Sequence, residues 1–120
     1  GVLNNTPYSF AARFKNEEGT EGTNPEELIA AAHAGCFSMA LSFQLSNAGF
    51  DPTEIKTNAT VTIEKLEAGF EFTGIHLDLE AIVPEISEDK FLELANAAKA
   101  GCPVSKALSS VPITLAAKLK

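Results

Sequence analysis

The segment from Asn24 to Gly49 limits the possible folds more than any other stretch of the chain. Asn24 offers a side-chain acceptor for a free amide. Pro25 suits the first helical position because it has no amide hydrogen to satisfy, and Glu26 and Glu27 sit in the positively polarised first turn. The helix started there runs to Gly49, about 24 residues and roughly 36 Å at 1.5 Å per residue. It is apolar nearly all round and rich in small residues, so a sheet, another helix or a partner subunit must cover it on several sides. The run Leu28 to Leu45 approaches the length of a membrane span, but His33, Ser38, Ser42 and Gln44 interrupt it, and a buried helix of a globular domain is expected.

The rest of the pattern supplies its cover. Tyr8, Phe10, Ala12 and Phe14 alternate with Ser9, Ala11 and Arg13, the period of a strand with one apolar face, and the polar stretch Lys15 to Gly22 reads as a surface loop. Ile55 to Glu64 and Ile75 to Ala81 alternate in the same way and form a hairpin around Glu67, Ala68 and Gly69. Ser87 caps a second helix that buries Phe91, Leu94, Ala95 and Ala98 and stops at Gly101. Pro103 opens a short third helix through Leu108, and Ile113, Leu115, Ala117 and Leu119 alternate as a last strand. Strand, long helix, two strands, two helices and strand make an α+β domain spanning residues 1–120.

Composition excludes several roles. Of the 120 residues, 9 are basic and 16 acidic, a net charge of -7, and Arg13 is the sole arginine among scattered lysines. With no basic stripe, neither nucleic acid nor an anionic membrane is an expected partner. The chain starts at Gly1 without a charged or cleavable leader, so no targeting segment is expected. Cys36 and Cys102 are too few for a disulfide scaffold and are either inert or chemical.

Glu26, His33 and Cys36 fall within about an 80° sector of the long helix, so one face collects an acid, an imidazole and a thiol. Cys36 reads either as a small core residue or as a reactive thiol that needs a cation from elsewhere, because its mid-helix position supplies no free amides. Arg13 is the available guanidinium, aimed by a Glu26 pair, or else an exposed surface arginine. Cys102 lies between Gly101 and Pro103 at the start of the third helix. On local grounds it is the more acidic thiol, unless it merely caps the helix. His33 reads as an orienting or packing residue and His76 receives no role. A zinc site built from Glu26, His33, Cys36 and Cys102 and a noncatalytic small-molecule binding module remain alternatives.

The runs Gly22 to Ala40 and Ala98 to Ser105 resemble the two cysteine motifs of the OsmC/Ohr family of osmotically inducible and organic-hydroperoxide-resistance proteins. Pro7, Tyr8, Phe10, Arg13 and Phe14 resemble its OsmC branch. The resemblance implies a cytoplasmic thiol peroxidase that reduces organic hydroperoxides and, less efficiently, hydrogen peroxide. Cys36 would be peroxidatic, Cys102 resolving, and Arg13 and Glu26 the pair near the reactive sulfur. It also implies no bound cofactor, an external dithiol such as a dihydrolipoyl protein as reductant, and an intertwined homodimer. In that family an antiparallel-rich sheet wraps the central helices, and members carry a further strand before the position of Gly1, a strand this sequence is expected to lack. The resemblance thus reverses the local ranking of the two thiols.

Overall fold

The computed structural model describes residues 3–8, 13 and 22–120. Helix α1 (Pro25–Asn47) begins as its sequence dictates: Asn24 is extended, and its Oδ1 accepts the Glu27 amide at 2.8 Å. The helix ends in a Schellman turn. Gly49, at φ +89°, donates to the Ser46 carbonyl at 3.0 Å, and Phe50 donates to Leu45 at 2.9 Å. A left-handed residue is needed there, and glycine takes that conformation without a side-chain penalty.

His33, Phe37, Leu41 and Leu45 form the buried row of α1, spaced four apart. The helix packs against β1 (Glu54–Leu66) and α2 (Glu88–Gly101). By length and composition α1 is able to cross a membrane, but this buried row makes it the core helix of the domain. Cover within one chain is one-sided. Met39 and Phe43, about 200° round the helix from Phe37 and Leu41, are 75% and 65% exposed.

Strand β2 (Gly69–Ile82) pairs antiparallel with β1 through the expected turn at Glu67 and Ala68, with a bulge between Thr62 and Ile63. Strand β3 (Ile113–Leu119) joins the other edge of β2 in parallel, giving a mixed sheet of order β1-β2-β3. The parallel pairing follows from the connection: α2 and α3 (Pro103–Ala107) form the crossover that returns the chain in the same direction. Ile75, Leu77, Leu79 and Ala81 of β2 face inward and join Phe37, Leu41, Phe91, Leu94 and Ala98 in the core. Ser87 caps α2 by accepting the Lys90 amide at 3.2 Å, as expected. The α2 helix ends because Pro103 forces its predecessor out of helical geometry, and Cys102 is extended at ψ 126°.

The strand expected over Tyr8 to Phe14 and the loop Lys15 to Gly22 lie largely outside the described residues. Where they are described, Tyr8 forms an isolated parallel bridge with Thr23, and Arg13 is helical rather than extended. Gly22, at φ +130°, lets the chain pass against Pro7, and a Cβ there would run into the Pro7 carbonyl. This close approach holds the N-terminal segment beside the start of α1.

Candidate active site

Two helices bring four side chains together. His33 and Cys36 lie one turn apart on α1, and Cys102 and Ser105 lie one turn apart at the start of α3. The pairs meet as two rungs: His33 Nε2 and Ser105 Oγ are 2.7 Å apart, and Cys36 Sγ and Cys102 Sγ are 2.9 Å apart. Both cysteines are free thiols; Cys36 is partly exposed and Cys102 is fully buried. A disulfide between them requires the sulfurs to approach by only roughly 1 Å.

The two thiols ionise differently. Burial pushes the Cys36 thiol up, and its hydrogen bond with Cys102 pushes it the same way. Burial also raises Cys102, but its hydrogen bond with Cys36 and its neighbours Ser105 and Val104 together outweigh it, and its net direction is down. The sulfur closes no side-chain cap on α3. Of the two thiols Cys102 is therefore the more acidic, as the local sequence argument expected.

Glu26 and Arg13 form the second cluster. Arg13 donates from Nε to Glu26 Oε1 and Oε2 at 2.9 and 3.2 Å and from its terminal nitrogen to Oε1 at 2.5 Å, a forked pair with Glu26 only 12% exposed. Along α1, Glu26 and Cys36 are ten residues apart, about 15 Å between their backbone positions.

Two sequence readings change. Ser105, the last residue of the second cysteine motif, becomes the partner of the buried histidine; its Cys-x-x-Ser spacing from Cys102 was the available signal. His76, given no role from the sequence, has an acidic neighbour. Its Nδ1 meets Thr114 Oγ1 at 2.6 Å and its Nε2 meets Asp78 Oδ1 at 3.3 Å, because residues two apart on β2 share a face and β3 pairs alongside. The zinc alternative gains no support, since no three His, Cys, Asp or Glu side chains converge on a metal position among the described residues, and His33 Nε2 is engaged by Ser105. A 540 Å³ depression lined by Lys56, Asn58, Asp78, Glu80 and Lys118 lies on the outer sheet face, opposite the helices.

The profile of OsmC-like proteins matches residues 17–116, a span that includes Glu26, Cys36 and Cys102. The chain belongs to the OsmC family. It is 55% identical over 120 residues to the Peroxiredoxin OsmC of Escherichia coli, covering 100% of this chain and 81% of that one. Its identity to the Organic hydroperoxide resistance protein OhrB of Bacillus subtilis is 35% over 108 residues, or 89% of this chain and 75% of the other. The OhrB crystal structure superposes with a TM-score of 0.65, covering 88% of this chain and 76% of OhrB. The fold extends to an OsmC-like protein of unknown function from Vibrio cholerae, only 15% identical, with a TM-score of 0.71. That match covers 80% of this chain, which spans 64% of the Vibrio protein. The two thiols of this OsmC-family chain thus lie in a fold shared by named peroxiredoxin and hydroperoxide-resistance proteins.

Proposed function

We propose that the chain reduces organic hydroperoxides, and hydrogen peroxide more slowly, to alcohol or water, with Cys36 as the attacking thiol and Cys102 as the resolving one. It is a cysteine-based peroxidase of the OsmC family. One observation carries the division of roles: the two sulfurs face each other at 2.9 Å, and Cys36 is partly exposed while Cys102 is fully buried.

Cys36 gives its proton to solvent, leaving a Cys36 thiolate beside the Cys102 thiol. That thiolate attacks the outer peroxide oxygen, the O–O bond breaks, and the departing alkoxide takes the proton from Cys102 and leaves as alcohol. Cys102, now a thiolate, attacks the Cys36 sulfenic acid. The S–S bond forms, the S–O bond breaks, and hydroxide leaves to become water with a solvent proton. Both electrons that reduce the peroxide come from the thiol pair, so the cycle needs no bound cofactor. An external dithiol, such as a dihydrolipoyl protein, restores the thiols by exchange. Two free thiols in contact suit the reducing cytoplasm.

Arg13, forked to Glu26, stabilises the Cys36 thiolate and polarises the peroxide oxygens, and Glu26 holds the guanidinium in place. The axial distance between Glu26 and Cys36 supports a homodimer whose sites lie where two copies meet. The uncovered stripe Leu28, Ala32, Gly35, Met39 and Phe43 is apolar and, at Ala32 and Gly35, small enough for close helix packing. The test is turnover of cumene hydroperoxide and tert-butyl hydroperoxide with a dithiol: Cys36→Ser is expected to lose it, and equal turnover by that variant would contradict the reading.

A further inference from the structure

We propose that the outer face of the sheet carries a binding site for a divalent ion of the zinc class, with His76 Nε2 and Asp78 Oδ1 as its protein ligands and Thr114 as the residue that orients the imidazole. The site shares no residue with the thiol centre and does not depend on the peroxidase reading.

The alternation of β2 creates the pair. Ile75, Leu77 and Leu79 point into the core, so His76 and Asp78, two apart, stand together on the opposite face. Strand β3 runs parallel to β2 with Thr114 beside His76, and Thr114 Oγ1 lies 2.6 Å from His76 Nδ1. The Thr114 hydroxyl has the Ile75 carbonyl, at 3.5 Å, as an outlet for its own proton. With the hydroxyl turned that way its oxygen accepts from Nδ1–H, and the lone pair of the neutral imidazole stands on Nε2. A metal-binding histidine is held in this manner, its second nitrogen fixed by a neighbouring acceptor.

What Nε2 faces points to the ligand. Asp78 Oδ1 is 3.3 Å away, longer than the ~2.7–2.9 Å of a charge-assisted hydrogen bond. Two ligands each about 2.0 Å from a tetrahedral ion stand about 3.3 Å apart, so the pair is spaced for such an ion as it stands. A neutral imidazole and a carboxylate meet there as two acceptors, and a cation between them satisfies both. The side chains are 43% and 54% exposed, so water reaches the remaining coordination positions. The depression next to Asp78, on the side of its cross-strand partner Asn58, leaves room for that water. One imidazole and one carboxylate favour zinc, nickel or copper over magnesium and calcium, which take oxygen ligands. With two protein ligands the site is open and exchangeable rather than a closed structural centre.

The test uses the full chain carrying Cys36→Ser and Cys102→Ser, so that no thiol takes up metal, and titrates it with zinc chloride by calorimetry. One ion per chain should bind saturably, and magnesium chloride at the same concentration should give no binding heat. His76→Gln and Asp78→Asn should each weaken zinc binding at least about tenfold. Thr114→Val, which keeps the shape but removes the acceptor, should weaken it about tenfold. In proton NMR, zinc should shift the ring signals of His76 and leave those of His33 in place. Absence of saturable zinc binding would reduce His76 and Asp78 to an ion pair and overturn the site, as would binding that survives unchanged in His76→Gln. If the doubly substituted chain does not fold, the wild-type chain with its thiols closed to a disulfide by diamide takes its place in the same titration. Peroxide turnover enters none of these readings, so the site and the peroxidase reading fail separately.

Discussion

A neutral histidine sealed beside two thiols makes the stability of this chain depend on pH with a definite sign. Burial holds His33 below the ordinary histidine value, whereas in the unfolded chain it takes up a proton near pH 6.5. Below that pH the unfolded state binds more protons than the folded one, so the histidine's contribution is present above about pH 6.5 and is lost as the pH falls towards the folded value. Urea midpoints should therefore decline between about pH 7.5 and 5.5, and His33→Gln should flatten the decline; an unchanged slope in that variant would contradict it. Individual residues were unevenly legible in the sequence. The helical sector shared by Glu26, His33 and Cys36 follows from spacing alone, and so does the acidity of Cys102 next to Pro103. The partners of these residues come from other elements. Ser105 reaches His33 across 72 positions of chain, and Thr114 reaches His76 only because β3 lies beside β2.

Among the elements, α1 carries the site, and its two faces should respond differently to truncation. Phe37 is 0% exposed in the core row, whereas Phe43 is 65% exposed on the uncovered stripe. Phe37→Ala should cost about 3–5 kcal/mol of folding stability. Phe43→Ala should change the stability of the single chain by no more than about 0.5 kcal/mol. Chemical denaturation at low protein concentration measures both, and equal losses would contradict the one-sided burial of α1. The start of α1 was readable because Asn24, Pro25 and the two glutamates are local signals acting on local amides. Its cover was less readable: periodicity shows that a surface is apolar but not which of its faces the same chain covers.

For the whole molecule, the open stripe of α1 and the separation of the Arg13–Glu26 pair from the thiols both support the proposed homodimer. Met39→Lys places a charge on that stripe. It should shift the protein from dimer towards monomer in analytical ultracentrifugation and lower peroxide turnover at least about tenfold while the isolated fold persists; an unchanged mass with full activity would contradict the homodimer. The topology was partly legible. Alternation marked each strand from β1 to β3, but the parallel pairing of β3 depends on how α2 and α3 fold back over the sheet, which no local pattern states. The central claim, that Cys36 attacks the peroxide and Cys102 closes the disulfide, is tested most directly by adding one equivalent of cumene hydroperoxide and reading free thiols and intact mass. The wild-type chain should lose both thiols and two hydrogens, while Cys36→Ser should keep its remaining thiol and leave the peroxide unconsumed. Peroxide consumption by Cys36→Ser at the wild-type rate would contradict the account.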